Sequence, residues 1–296
     1  MLACAGSALA QSAPAASAAD EGERALERAL TRESVLVLPK GAYELEPGFE
    51  YSYRATDALE IVNVSGVPQV ARQDVKQDRL ETRLTLRAGL PHASHLEIRL
   101  PYVFLRDDRS TADRFGQTVH ESGVGDLQIG FTKQLVDERP ERPGLLAGLT
   151  WKVPTGDFQV GEPSVGSGFH SLQGTLTLVK RQDPLVFFGT ASYTSVLERS
   201  HGGAEIDPGD SVGLKLGTML AASPRTSLRG GFELNRSGRT KIDGNAIPGS
   251  DTAVATLQFG LATLLSRRGL LDIQLNIGAT PEAPNFALIV SAPFRF

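Results

Sequence analysis

The sequence predicts an all-β protein: a transmembrane antiparallel up-and-down β-barrel of twelve strands, preceded by a short N-terminal helix. Three observations carry this. Apolar and polar residues alternate with period two from Tyr43 to Phe296. Connections alternate between short and long, save for a short last one from Thr280 to Pro284, around an even number of strands. Aromatic residues gather at the ends of the apolar rows. Period two places successive side chains on opposite faces of a strand. Even strand number, short turns at one end and long loops at the other are the plan of an outer-membrane barrel.

Composition bounds the reading. The 296 residues are 41% hydrophobic and 22% charged, with a mean hydropathy of -0.12. These values match a soluble domain as well as a barrel, in which lipid-facing apolar residues alternate with polar lumen residues. No run reaches 18 apolar residues, so a membrane helix is excluded. With 30 basic against 34 acidic residues and a net charge of -4, no nucleic-acid partner is expected.

Residues 1–19, MLACAGSALAQSAPAASAA, read as the remnant of a secretory signal, with Ala8-Leu9-Ala10 as a small-x-small cleavage pattern. A lipobox ending at Cys4, or a plain Ala/Ser leader, are the competing readings. Residues 20–42 hold an amphipathic helix and linker. Leu26 and Leu30 are spaced i, i+4 among charges, and Pro39 and Gly41 end the pattern. A helix this short needs a surface to pack on: the barrel mouth, another copy, or a partner.

The barrel is expected over 43–296. Its first strand sets Tyr43, Leu45, Phe49 and Tyr51 against Glu44, Glu46 and Glu50, and its second sets Leu80, Leu84 and Leu86 against Glu81, Arg83 and Arg87. Leu96, Ile98, Leu100 and Tyr102 oppose Glu97 and Arg99; Leu127, Ile129 and Phe131 oppose Asp126 and Gln128. Leu145, Ala147, Leu149 and Trp151 oppose Thr150 and Lys152. Weaker copies cover 169–181, 185–197 and 252–265. Val212, Leu214 and Leu216 oppose Lys215, and Leu228, Phe232 and Leu234 oppose Arg229 and Glu233. Leu271, Ile273, Leu275 and Ile277 flank Asp272; the last strand sets Phe286, Leu288, Val290, Phe294 and Phe296 against Ser291 and Arg295. Long polar loops are expected at 56–75, 107–122, 156–167, 198–209 and 238–250.

The polar parity collects Glu44, Glu46, Glu50, Glu81, Glu97, Asp126, Glu233 and Asp272 with Arg83, Arg87, Arg99, Lys152, Arg181, Lys215, Arg229 and Arg295. These are the candidate lumen residues. Fixed charge in a narrow tube must be paired or solvated. The near-balance of sign predicts either a filling ion-pair network or a narrow channel of weak charge selectivity. Tyr51, Tyr53, Tyr102, Phe104, Trp151 and Tyr193 form the expected aromatic girdle at one rim, with Tyr43, Phe294 and Phe296 at the other.

Catalytic chemistry is not expected. His170 and Ser171 are adjacent on a strand, so they face opposite sides and cannot share a proton. Asp107, Asp108 and Asp113 read as a solvated loop rather than a cation site, and no metal or cofactor is expected. Gly123-x-Gly125-Asp126 precedes no helix, so it is not a phosphate loop; its glycines suit a bend or close packing.

Three segments together resemble a known family: Val124-Gly125-Asp126-Leu127 with Gly130, then Trp151-Lys152-Val153-Pro154-Thr155-Gly156-Asp157, then Val165-Gly166-x-Gly168. Ile277-Gly278-x-Thr280-x-x-Ala283-Pro284 and Phe286 add to the likeness. The chain is similar over about residues 40–296 to bacterial outer-membrane proteins labelled "putative MetA-pathway of phenol degradation", often called transporters. It departs from them at Phe131-Thr132, where a Tyr often follows the glycine. The resemblance implies an outer-membrane barrel and carries over no binding residue.

The expected function is an outer-membrane channel or facilitator for small solutes, aromatic or apolar ones among them. The alternative is a docking or assembly barrel whose 20–34 helix recruits a partner. Expected partners are outer-membrane lipid, the barrel assembly machinery, which reads a terminal aromatic such as Phe296, and a small-molecule solute of unknown identity.

Overall fold

The computed structural model describes residues 27, 30, 36–64, 67–111, 114–158, 163–266 and 268–296, with side chains outside 57–73 and 111–117. The strands are β1 (Tyr43–Val64), β2 (Val67–Leu90), β3 (Ser94–Thr111), β4 (Arg114–Val124), β5 (Leu127–Val136), β6 (Gly144–Val153), β7 (Ser171–Gln182), β8 (Leu185–Val196), β9 (Arg199–His201) and β10 (Ala204–Asp207). They continue as β11 (Ser211–Ser223), β12 (Thr226–Ser237), β13 (Lys241–Ile242), β14 (Asn245–Ala246), β15 (Thr252–Leu264), β16 (Leu270–Gly278), β17 (Phe286–Ser291) and β18 (Phe294–Arg295).

Fourteen of these segments form one antiparallel sheet, which closes where β1 pairs with β17 and β18. β4 and β5 are two halves of one stave, as are β17 and β18, so the barrel has twelve staves. The first interruption is a bulge. Tyr102 faces Val124 and Arg99 faces Gln128, so three steps along β3 meet four along β4 and β5. The extra residue turns both Gly125 and Asp126 into buried positions.

The outer surface is apolar and much of the inner surface polar, the reverse of a soluble core. Leu84, Leu86, Ile98, Phe131, Leu149, Leu176, Leu214, Phe259 and Leu275 are exposed, whereas Glu44, Glu46, Arg87, Arg229 and Asp272 are buried. An exposed apolar belt around a closed barrel requires lipid outside it, which places the protein in the bacterial outer membrane. At the rims, Tyr102, Phe104, Trp151 and Tyr193 are exposed at one end and Tyr43, Phe294 and Phe296 at the other. Tyr51 and Tyr53 both lean on Phe286, with ring centroids 5.9 and 6.0 Å away.

Two expectations need correction. Residues 56–64, 67–75 and most of 107–122 are strand rather than loop, because β1, β2 and β3 run for 22, 24 and 18 residues. A membrane stave needs only ~9–11 residues, so these hairpins rise beyond the bilayer. Ile61, Val62, Val64, Val67, Val70 and Val75 supply β-branched residues, while Asp57, Asn63 and Pro68 between them disguise the strands as loop. The loops at 198–209 and 238–250 are also built: β9, β10, β13 and β14 pair into a separate four-stranded sheet. Residues 1–19 lie outside the described residues. Of the expected helix over 20–34, Glu27 and Leu30 are described, and both have helical backbone.

Candidate functional site

The barrel interior has three levels. At the short-turn end, β1 and β2 place Glu44 beside Arg87, and β2 and β3 place Arg87 beside Glu97. The Arg87 guanidinium lies 2.9 Å from Glu44, 2.5 Å from Glu46 and 2.6 Å from Glu97. Glu44 also takes Arg295 at 3.3 Å, and Glu97 takes Arg99 at 2.9 Å. Arg295 reaches on to Glu27 of the N-terminal segment at 3.1 Å. Three carboxylates on one buried guanidinium satisfy its planar fork from several sides.

At the same end, chain that is not barrel wall packs against the interior. Residues 36–42 cross the lumen edge: Gly41 N–H donates to Gly89 O, and Gly89 N–H donates to Ala42 O. A Cβ on Gly89 would lie 1.9 Å from Pro39 O, so only glycine lets the strap pass. Leu38 is buried, and its N–H donates to Nδ1 of buried His95 at 3.3 Å. Leu30 packs inside the barrel on Leu146, Val179, Val186, Phe188, Met219, Ala262 and Leu270, with Leu36, Val37 and Leu264 alongside. One interior wall at this level is therefore charged, and the opposite wall carries an apolar patch with the buried Arg229–Asp272 pair beside it.

The apolar wall was not expected, because the alternation assigns apolar residues to lipid. The signal for it lies in the doublets Leu145-Leu146, Leu178-Val179, Phe187-Phe188, Met219-Leu220 and Leu270-Leu271, where a strand is apolar on both faces. Such a strand has something to bury on its inner side.

At mid-height the charges pair within their own walls. Arg83 meets Glu50 at 3.2 Å; nearer the short-turn end, in register with Met219 and Ala262, Arg229 meets Asp272 at 3.2 Å and Gln274 at 2.8 Å. Glu233 accepts from Gln258 and Asn235, each at 2.7 Å, and Lys215 faces Glu233 in register across β11 and β12. Arg181 lies at the short-turn end against Glu138 at 3.6 Å, among turn residues.

At the opposite mouth the bulge holds a loop. Asp126 Oδ1 accepts from Gly156 N–H at 3.2 Å, and Oδ2 accepts from Ser167 N–H at 2.8 Å and Ser167 Oγ–H at 2.5 Å. Thr155 Oγ donates to Gly125 O at 2.8 Å while accepting from Leu127 N–H at 2.9 Å. Gly156 and Gly166 approach so closely that a Cβ on either would fall within 2.7 Å of the other's backbone. Val165 and Phe169 are buried beneath this loop, and Arg199 donates to Gly168 O at 2.9 Å. Gly125, Asp126, Thr155, Gly156 and Gly166, among the residues that carried the family resemblance, are thus parts of one clamp, which holds residues 154–158 and 163–170 at the mouth. Lys152 sits beside it, 3.9 Å from Asp126, and Arg79 pairs with Glu81 at 3.0 Å nearby.

His170 stacks on Trp151, with centroids 5.8 Å apart, while Ser171 is buried on the other face of the strand. Asp107 pairs with Arg109 and Asp108 with Arg106, on opposite faces of β3; Asp113 lies outside the described residues.

Among solved structures, the COG4313 outer membrane channel from Pseudomonas putida F1 matches with a TM-score of 0.68 at 20% identity, over 88% of this chain and 97% of that chain. The two share a fold. The translocator domain of autotransporter NalP from Neisseria meningitidis matches at a TM-score of 0.48 and 9% identity, over 94% of this chain and 96% of that one. The Ralstonia pickettii toluene transporter TbuX gives 0.45 and 10%, over 90% and 93%. The family model described as "Putative MetA-pathway of phenol degradation" covers residues 64–296, which include the mouth clamp and eleven of the twelve staves, and the chain belongs to that family.

Proposed function

We propose that this protein is a channel or facilitator that carries small organic solutes across the outer membrane and is closed at rest by its own N-terminal segment. The observation that carries the proposal is the seat of Leu30 and Leu38. Both are about 1% exposed, yet they belong to chain outside the barrel wall. A barrel with a purely structural interior fills itself with wall side chains; here the filling is a separate strap that can leave without breaking a ladder bond between staves. Its departure would uncover an apolar wall facing a charged one. That combination suits amphipathic or aromatic solutes better than sugars. The family's phenol-degradation description supports the same solute class.

The lumen candidates from Glu44 to Arg295 then act as the polar wall of the path, and the clamped 154–170 loop as its outer constriction. The reading is non-enzymatic: His170 and Ser171, the adjacent acid–base pair of the sequence, face opposite sides of the wall. In a docking barrel Leu30 would be offered to a partner, and its burial inside the lumen supports the channel instead. Phe296, 67% exposed beside the closing strand, suits the assembly machinery that inserts such barrels. Liposome swelling with purified protein tests the proposal. Proteoliposomes should admit phenol-sized solutes faster once residues 20–38 are removed. Equal, background-level swelling with and without the segment would refute it.

A further inference from the structure

A cavity of about 270 Å³ lies under the clamped loop, between Arg79 and Glu81 of β2, Pro101 of β3, Gln128 of β5, Lys152 of β6 and loop residues 164–167. Its polar groups have an imbalance of donors. Asp126, the acid nearest Lys152, spends both oxygens on Gly156 and Ser167. Lys152 Nζ stays 3.9 Å away, beyond hydrogen-bond distance. Gln128 gives its oxygen to Arg99 at 3.2 Å, which leaves its amide N–H groups to donate. Glu81, the other acid of the cavity, is held by Arg79 at 3.0 Å, with Arg83 at 3.9 Å. The ammonium of Lys152, the amide of Gln128 and the remaining N–H groups of Arg79 therefore converge where the local carboxylates are already engaged. The Pro101 ring and the buried Val165 side chain supply carbon surface at the same place.

We infer that this cavity is a binding subsite for a small monocarboxylate with an apolar, ring-sized body. A carboxylate accepts from Lys152 and Gln128, while its body packs on Pro101 and Val165. The volume is below that of sites for drug-sized ligands, which suits an acid of one ring. Charge-assisted donors would fix its orientation and admit acids in preference to neutral molecules of the same shape. The inference rests on the channel reading for its biological use, but the site itself does not depend on flux.

Calorimetry on the full chain in detergent, with benzoate and benzamide as probes, tests it. Wild type should bind benzoate at least about tenfold more tightly than benzamide, since one charge-assisted hydrogen bond amounts to about that factor. Lys152→Gln should lose at least about tenfold in benzoate affinity, Lys152→Arg should retain it, and Arg268→Gln, an equal charge removal at an outlying turn, should leave it unchanged. Equal affinity for the two probes, an unaffected Lys152→Gln, or an equal loss in Arg268→Gln would overturn the inference. If Lys152→Gln does not fold, the comparison of probes on wild type and Lys152→Arg still decides. Benzoate binding without solute flux would refute the channel and leave the site standing; flux without binding would do the reverse.

Discussion

Replacing Arg87 with methionine probes the sealed end of the lumen. The guanidinium is 3% exposed and touches three carboxylates, whose side chains are 3%, 4% and 15% exposed. Arg87→Met keeps most of the volume and removes the cation. Glu44 keeps Arg295 and Glu97 keeps Arg99, but Glu46 loses its 2.5 Å contact and three acids remain close together. Breaking a buried pair on one side costs about 3–5 kcal/mol, because the remaining charge stays desolvated. With a urea slope of about 2 kcal/mol per molar, the unfolding midpoint should fall by about 1.5–2.5 M. The single tryptophan, Trp151, reports the transition by fluorescence. The double variant Arg87→Met/Glu46→Gln should recover part of the loss, since it removes one of the three like charges left close together. A midpoint within about 0.5 M of wild type would refute the reasoning, since at that slope it amounts to only about 1 kcal/mol. It would mean that water already solvates this cluster and that the strap does not seal it.

Further outcomes follow from the mouth clamp, the strap and the outer sheet. Asp126→Ala removes the acceptor of three donors and should loosen the 154–170 loop by about 3 kcal/mol or more, seen as faster proteolysis within it. Gly89→Val puts a side chain where Pro39 O lies and should expel the strap, so that a cysteine introduced at Leu38 reacts faster with a maleimide than in the parent. In the outer four-stranded sheet, the hydrogen bond from Lys241, aided by Gly209 N–H, holds the Asp207 carboxyl below its usual range. A lowered folded-state value means that its contribution is present above the ordinary carboxylate range and is lost as pH falls through the depressed value. Amide exchange at Lys241 and Ile242 should therefore accelerate on acidification, with exchange compared at equal intrinsic rates, and Asp207→Asn should remove that dependence.

The barrel was legible because lipid and lumen make opposite demands on alternate residues. Leu84 and Leu86 could face only lipid, and Arg83 and Arg87 only the interior. The even count of strands came from counting the alternating segments. The N-terminal plug was half legible: Leu26 and Leu30 announced an apolar stripe, but its seat was hidden in Val179, Phe188 and Met219. These lie where the alternation was too weak to assign a face, and they line the interior. The extent of β1 to β3 was misread because polar residues on water-exposed hairpins look like loop when no bilayer enforces alternation. The mouth clamp showed itself as a motif without a meaning. Asp126, Gly156 and Ser167 are far apart in sequence, and it is the one-residue bulge that turns Asp126 toward the other two.

Single-channel conductance in a planar bilayer measures the central claim, that a solute path exists and that the strap closes it. The full chain should show a small or intermittently open conductance, and the protein lacking residues 20–38 a stable, larger one. Two barrels with the same conductance, or a truncated barrel that inserts and folds yet passes no ions, would contradict it.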